Sequence, residues 1–199
     1  MSAPALPVRR AGPAVPAPAV LVGVDALEIA RVRGAVVRNG PVYAARICSA
    51  AEQGPLAPGA LGLAARLAVK ECLIKAIGGR PPAFDWHDLQ VLAPDGGEPV
   101  APVVTALAAA LGSAFRATGG PVLDHRAAVR LRGSCAAAAS AALHDPDDVA
   151  AGAAWGHDGV LLVAVAVVVV GGAAAPSGPA PADRPATTLT APRPGGIAP

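Results

Sequence analysis

Glu71 and Lys75 stand four residues apart in the run Leu61 to Ile77 (LGLAARLAVKECLIKAI), a spacing that stacks a carboxylate and an ammonium on one face of a helix. On an open surface such a pair contributes only ~0.3 kcal/mol. Here, however, Lys70 and Lys75 are the only lysines of the chain, and both fall in an otherwise almost wholly apolar run, where unpaired charge is expensive to bury. A carboxylate and an ammonium placed together in such a setting suit a bound cation or a reacting phosphate. Asp25 ends the β-branched run Val20 to Val24 (VLVGV). It is either the N-cap of a following helix or, delivered into a cleft, a second carboxylate that holds Mg²⁺ with Glu71. That hard ion takes one or two carboxylates and fills its octahedron with water and phosphate oxygens. His157, in the turn-like Trp-Gly-His-Asp-Gly segment, is either a structural turn residue or a donor to a phosphate oxygen. Ser49 and Glu52 have capping-box spacing, which suits a helix start better than a nucleophile and its base. Gly78-Gly79 lacks the spacing of a phosphate-binding loop and reads as a helix stop. His87, His125 and His144 have no partner that the sequence identifies.

These residues need elements to hold them. The sequence predicts a strand over Val20–Val24 and a helix from Ala26 to about Arg38, stopped by Asn39-Gly40. A short helix follows at Val42–Ile47. The strongest helix covers Leu61–Ile77, between Pro58-Gly59 and Gly78-Gly79. Its apolar residues occupy both flanks, so little of it should face water, and Glu71 and Lys75 should share a lane lined by methyl groups. A strand is expected over Asp85–Leu92 with Trp86 at a bend, then a turn at Asp95-Gly96-Gly97. Further on, helices are expected over Val104–Phe115 and Ser134–Leu143, a strand over Ala128–Leu131 and an acidic loop over His144–Asp148. A closing hairpin runs from Gly152–Trp155 through a turn at Gly156–Gly159 to the strand Val160–Val170.

The chain has 199 residues, 53% hydrophobic and 15% charged, within the globular range. Met1–Pro18 holds five prolines and Gly171–Pro199 seven, so residues 1–18 and 172–199 are expected to be disordered tails around one domain at 19–171. With 3% aromatic residues, the core must be built from Ala, Val, Leu and Ile. Residues 1–80 carry ten basic side chains against four acidic, and 81–199 six against ten. The first part therefore attracts an anionic partner. Nucleic acid is disfavoured, because no aromatic residues interleave the arginines and no known reading motif appears. The three cysteines, Cys48, Cys72 and Cys135, show no paired spacing, which points to buried thiols in a reducing cytoplasm. Val160–Val170 is wholly apolar but about half the ~20 residues a membrane helix needs, so no membrane is expected.

Three segments together resemble the 4'-phosphopantetheinyl transferases, in particular the short bacterial holo-acyl-carrier-protein synthase group. They are Gly23-Val24-Asp25-Ala26-Leu27-Glu28-Ile29 with Arg31-Val32, Arg46-Ile47-Cys48-Ser49 with Glu52, and Arg66 through Gly78. Trp86, Asp88 and Val91 match the strand that follows, and Trp155–Val170 is similar to the family's histidine hairpin. The resemblance implies an α+β fold with an antiparallel sheet packed on a long buried helix. It implies transfer of phosphopantetheine from coenzyme A to a serine of an acyl carrier protein, with Asp25 and Glu71 as magnesium ligands. By the same resemblance, Lys75 would contact the reacting phosphate, and His157 and Arg66 would contact coenzyme A. The serine proton would go to Glu71 or to a metal-bound water. Carrier proteins present an acidic helix, which Arg31, Arg33 and Arg38 would meet. A carrier- or coenzyme-binding module without turnover is the competing reading. The chain departs from the group at Cys48 and Leu67, where aromatics are common, at Gly156, where serine is, and at Glu98, where a basic residue is. Residues 95–124 have no counterpart in the short members. They fall where the contacts of a homo-oligomer, a trimer in that group, would be altered.

Overall fold

Val20, Val22 and Val24 alternate with Leu21 and Gly23, the period-two pattern of a half-buried strand. A computed structural model, which describes residues 20–52, 54, 56–94, 100–144 and 148–170, starts there with β1 (Val20–Glu28). The strand runs four residues past the expected end, because its pairing with the last strand continues to Glu28↔Leu161. Asp25 is thus a mid-strand residue and caps no helix. Helix α1 (Ile29–Asn39) begins after Glu28 and ends at Gly40, whose φ of 61° suits glycine. Helix α2 (Pro41–Ile47) and a 3-10 turn at Ala50–Glu52 lead to α3 (Gly59–Ala76). The expected strand at 85–92 shortens to β2 (Leu89–Leu92), since Trp86–Asp88 forms a 3-10 turn capped by the Asp85 carboxylate. Then come α4 (Ala101–Ala117), β3 (His125–Leu131), α5 (Gly133–Leu143), β4 (Val149–His157) and β5 (Leu161–Val170). The expected tails at 1–18 and 172–199, the turn at 95–97 and much of the acidic loop lie outside the described residues.

The five strands form one antiparallel sheet in the order β1-β5-β4-β3-β2. Val160–Val170 is therefore mostly a central strand, and among the described residues no helix is long and apolar enough to cross a membrane. On one face, Leu73 and Cys72 of α3 and Cys135 and Ala139 of α5 pack with Trp155, Leu162 and Ala164. The opposite face, with Val163, Val165 and Val167, is covered by Val100, Val104 and Ala108 at the start and along α4. Helix α4 is thus a second covering layer, making three layers of helix, sheet and helix.

Small residues set the spacing. Ala64, Ala65 and Ala68 of α3 are completely buried, and a Cβ on Gly23 would lie 1.8 Å from the Cys72 carbonyl oxygen. Helix α3 therefore rests on β1 backbone to backbone, and the Cys72 thiol donates to the Ala164 carbonyl at 3.2 Å. Gly152 plays the same part for the other layer, where an added Cβ would meet Val100 Cγ2 at 2.5 Å.

Candidate functional site

Leu21, Gly23, Asp25 and Leu27 are the β1 residues turned toward α3, as the burial alternation of the strand shows. Close contact between β1 and α3 then brings Lys75 over the strand. Its Nζ donates to Asp25 Oδ1 at 2.7 Å and to the Val24 carbonyl at 3.1 Å. The hydrogen bond to Asp25 is the main reason the Lys75 ammonium holds its proton above the ordinary lysine range.

The expected Glu71–Lys75 pair does not form. Lys75 goes to Asp25, while Glu71 Oε1 accepts from Arg80 Nη2 at 3.2 Å. Nor is the pair buried: the Lys75 side chain is 54% exposed and that of Glu71 31%. Leu67, Glu71 and Lys75, spaced by four, make the open lane of a helix whose other turns are covered by sheet and neighbouring helices. The buried ammonium is instead Lys70, one residue along and 100° round. It is fully enclosed and donates to the Ile47 carbonyl, to Glu52 and to the Trp86 carbonyl. Glu52, also buried, accepts from the Ser49 amide and hydroxyl and from the Val91 amide. The capping-box spacing therefore marks a cap that doubles as the acceptor of a buried ion pair. Burial pushes the Lys70 pKa down, against the pull of the Glu52 hydrogen bond.

Asp25 and Glu71, far apart in the chain, line the same cleft of about 480 Å³. Arg31 and Arg38 of α1 line it too, with Tyr43 of α2 and Leu67 closing the wall. The remaining candidates lie elsewhere. Arg33 is exposed on α1 and is not part of that wall. Arg66 is 7% exposed, donates through Nη2 to the Gly54 carbonyl and lines a separate recess with Cys48 and Ser49. Its Nε has no partner among the described residues. His157 closes β4 instead of sitting in the turn, and the register Leu27↔Leu162↔His157 puts it two strands from β1 on the sheet face that carries Asp25. Its Nδ1 accepts from the Gly159 amide at 3.1 Å, so the neutral ring carries its proton on Nε2 as a donor.

Two features escaped the sequence reading. His125, left without a partner there, stacks on Trp155 with centroids 4.1 Å apart and lies nearly parallel to His157. Its place opposite Trp155 depends on strand register, which no local pattern reveals. Arg80 was missed as the partner of Glu71. The available signal was Gly78-Gly79 directly after the helix, a pair that can turn the chain back along it.

The cleft suits a magnesium ion by its donor set. Both carboxylates are hard oxygen ligands, and among the described residues no third His, Cys, Asp or Glu joins them in a metal-binding cluster. A cation held here would complete its shell with water and phosphate oxygens.

Residues 21–117 match the family model described as the 4'-phosphopantetheinyl transferase superfamily. The chain is similar to the holo-[acyl-carrier-protein] synthase of Frankia casuarinae, 38% identical over 89 residues, covering 45% of this chain and 72% of that protein. The protein of the same name from Clavibacter michiganensis subsp. michiganensis is 40% identical over 94 residues, with 46% and 75% covered. Among solved structures, an apo-ACPS from Chronobacterium ammoniagenes superposes with a TM-score of 0.51 at 23% identity, covering 77% of this chain and 98% of that one. At that identity the likeness speaks to the fold alone.

Proposed function

The chain belongs to the 4'-phosphopantetheinyl transferase superfamily, and from that premise we propose that it moves phosphopantetheine from coenzyme A to a serine of an apo acyl carrier protein. The serine oxygen bonds the pantetheine-side phosphorus as its proton passes to Glu71 or to water, the pyrophosphate P–O bond breaks, and adenosine 3',5'-bisphosphate leaves with the electron pair. The observation that supports this reading most is the meeting of Asp25 and Glu71 on one cleft whose wall also carries Arg31 and Arg38.

Asp25 and Glu71 are the residues that would hold Mg²⁺. When bound, the ion would screen the pyrophosphate and stabilise charge on the leaving oxygen. Lys75, tied to Asp25 and kept protonated by it, adds a fixed positive charge beside the same carboxylate. Arg31 and Arg38, with Arg33 on the outer side of α1, give the cleft mouth a positive field that draws in both the phosphates and an acidic carrier helix. His157 presents Nε2–H on the same sheet face, suited to a phosphate oxygen of coenzyme A, and Arg66, whose Nε has no partner among the described residues, lines the separate recess with Cys48 and Ser49.

The test is incubation of the purified chain with an apo carrier, coenzyme A and Mg²⁺, followed by intact mass spectrometry of the carrier. The expected result is a carrier heavier by one phosphopantetheine with wild type and an unmodified carrier with Glu71→Gln. Binding of coenzyme A without any mass gain would favour the binding-module reading, and full activity of Glu71→Gln would remove that residue from the chemistry.

A further inference from the structure

Beyond α3 the chain reverses in a loop with unusual backbone. Gly78 and Gly79 take φ of 87° and 122°, and Ala83, a non-glycine residue, takes 58°. Such angles are rare and costly outside glycine. The reversal carries Arg80 back nine residues to the open lane of the helix, where Nη2 donates to Glu71 Oε1. The guanidinium is also held from behind. Its Cζ lies 5.2 Å from the Phe84 ring centroid and 4.9 Å from that of Trp86, and the two rings pack edge to face at 5.2 Å. Trp86 is itself fixed through its carbonyl, which accepts from the buried Lys70. A long side chain in water gains little from one ion pair, because ordering both partners costs entropy. Aromatic faces on a guanidinium reduce that cost by restricting it beforehand. Glu71 needs this more than Asp25 does: Asp25 is on a paired strand, whereas Glu71 has one more rotatable bond and sits on an open lane.

We propose that Arg80, braced by Phe84 and Trp86, is a positioning residue that holds Glu71 by Oε1 so that its second carboxylate oxygen faces the cleft. This rests on the reading of Glu71 as a functional carboxylate. Arg80 acts through Glu71 and makes no contact of its own with the transferred group.

The test uses the full chain with Arg80→Ala and Arg80→Gln. Since a hydrogen bond to a charged group is lost while the binding arginines stay, kcat for carrier modification should fall about tenfold with KM for coenzyme A within about twofold. A readout independent of turnover is the fluorescence of Trp86 under titration with MgCl₂ alone. In wild type the ion should change the emission through the Glu71–Arg80–Trp86 chain. With tryptophan excited selectively over Tyr43, that change should vanish in Arg80→Ala and in Trp86→Phe, which leaves the buried Trp155 as the only tryptophan. An Arg80→Ala protein with wild-type kcat, or one with an undiminished Mg²⁺-dependent change, overturns the proposal. Its failure is distinct from failure of the functional reading. If Glu71→Gln is inactive while both Arg80 variants are wild type, only the Arg80 assignment falls, whereas an active Glu71→Gln removes the premise.

Discussion

Lys70→Met removes the ammonium from the one fully buried ion pair found among the described residues. Both side chains are completely enclosed, with Nζ 2.9 Å from Glu52 Oε1. The substitution keeps most of the side chain's length and volume, so the loss is mainly electrostatic. Three acceptors lose their donor at once: the Glu52 carboxylate and the carbonyls of Ile47 and Trp86. Breaking a buried pair from one side costs about 3–5 kcal/mol, because the remaining charge stays uncompensated. For a domain whose stability is on the order of 5–15 kcal/mol, that is a fifth or more of the total, and at about 2–4 °C per kcal/mol the melting temperature should drop by roughly 10 °C. Urea unfolding followed by far-ultraviolet circular dichroism measures it. Replacing both partners, Lys70→Met with Glu52→Leu, should not restore wild-type stability. The Ser49 and Val91 amides and two carbonyls would then lack partners, each costing about 1–3 kcal/mol if it stays buried. A Lys70→Met midpoint within about 1 kcal/mol of wild type would show that water reaches Glu52 and that the pair does not hold the core.

Two further outcomes follow from the same packing and pairing. Gly23→Ala should cost about 3 kcal/mol, since its Cβ would meet the Cys72 backbone oxygen at 1.8 Å, while Gly54→Ala, with nothing within 4 Å among the described residues, serves as a neutral control in the same urea series. The Lys75–Asp25 pair raises the lysine pKa in the fold, so its contribution is complete below the ordinary value of about 10.4 and is lost as pH rises through the folded value. Because Lys75 is half exposed, that contribution is below about 1 kcal/mol. The difference in urea midpoint between wild type and Lys75→Met should hold from pH 8 to 10 and shrink above that, and a difference that grows instead would contradict the pairing.

Local pattern and chemistry made most helices readable, while the antiparallel sheet came from the family resemblance. Asn39-Gly40 and Gly78-Gly79 punctuate α1 and α3 close to where the structure ends them, and the poverty of aromatics correctly implied an alanine-filled core. Most of what could not be read depends on contacts between distant segments. The extension of β1 through Asp25 comes from pairing with β5, whereas the shortening of β2 is local and comes from the Asp85 cap on the turn before it. The site shows the same division. Asp25 and Glu71 were identified as residues worth bringing together, and the structure does bring them to one cleft. Which of two nearby lysines is buried, however, depends on how α3 is rotated against the sheet, and a helix apolar on both flanks leaves that rotation undetermined by its own sequence.

The rotation is decided by Lys70. Lys70 and Glu71 are consecutive and therefore 100° apart on the helix, so a turn of α3 that draws one inward swings the other. Three acceptors from α2, the 3-10 turn of Glu52 and the segment of Trp86 converge on Lys70 Nζ, while Gly23 and the buried alanines let the helix settle close enough for the ammonium to reach them. The buried ion pair is thus an anchor for the exposed carboxylate beside it. The same Trp86 whose carbonyl takes Lys70 offers its ring to Arg80, which holds Glu71 from the other side. Glu71 is constrained through the helix backbone by Lys70 and through its own oxygen by Arg80, and both constraints meet at Trp86.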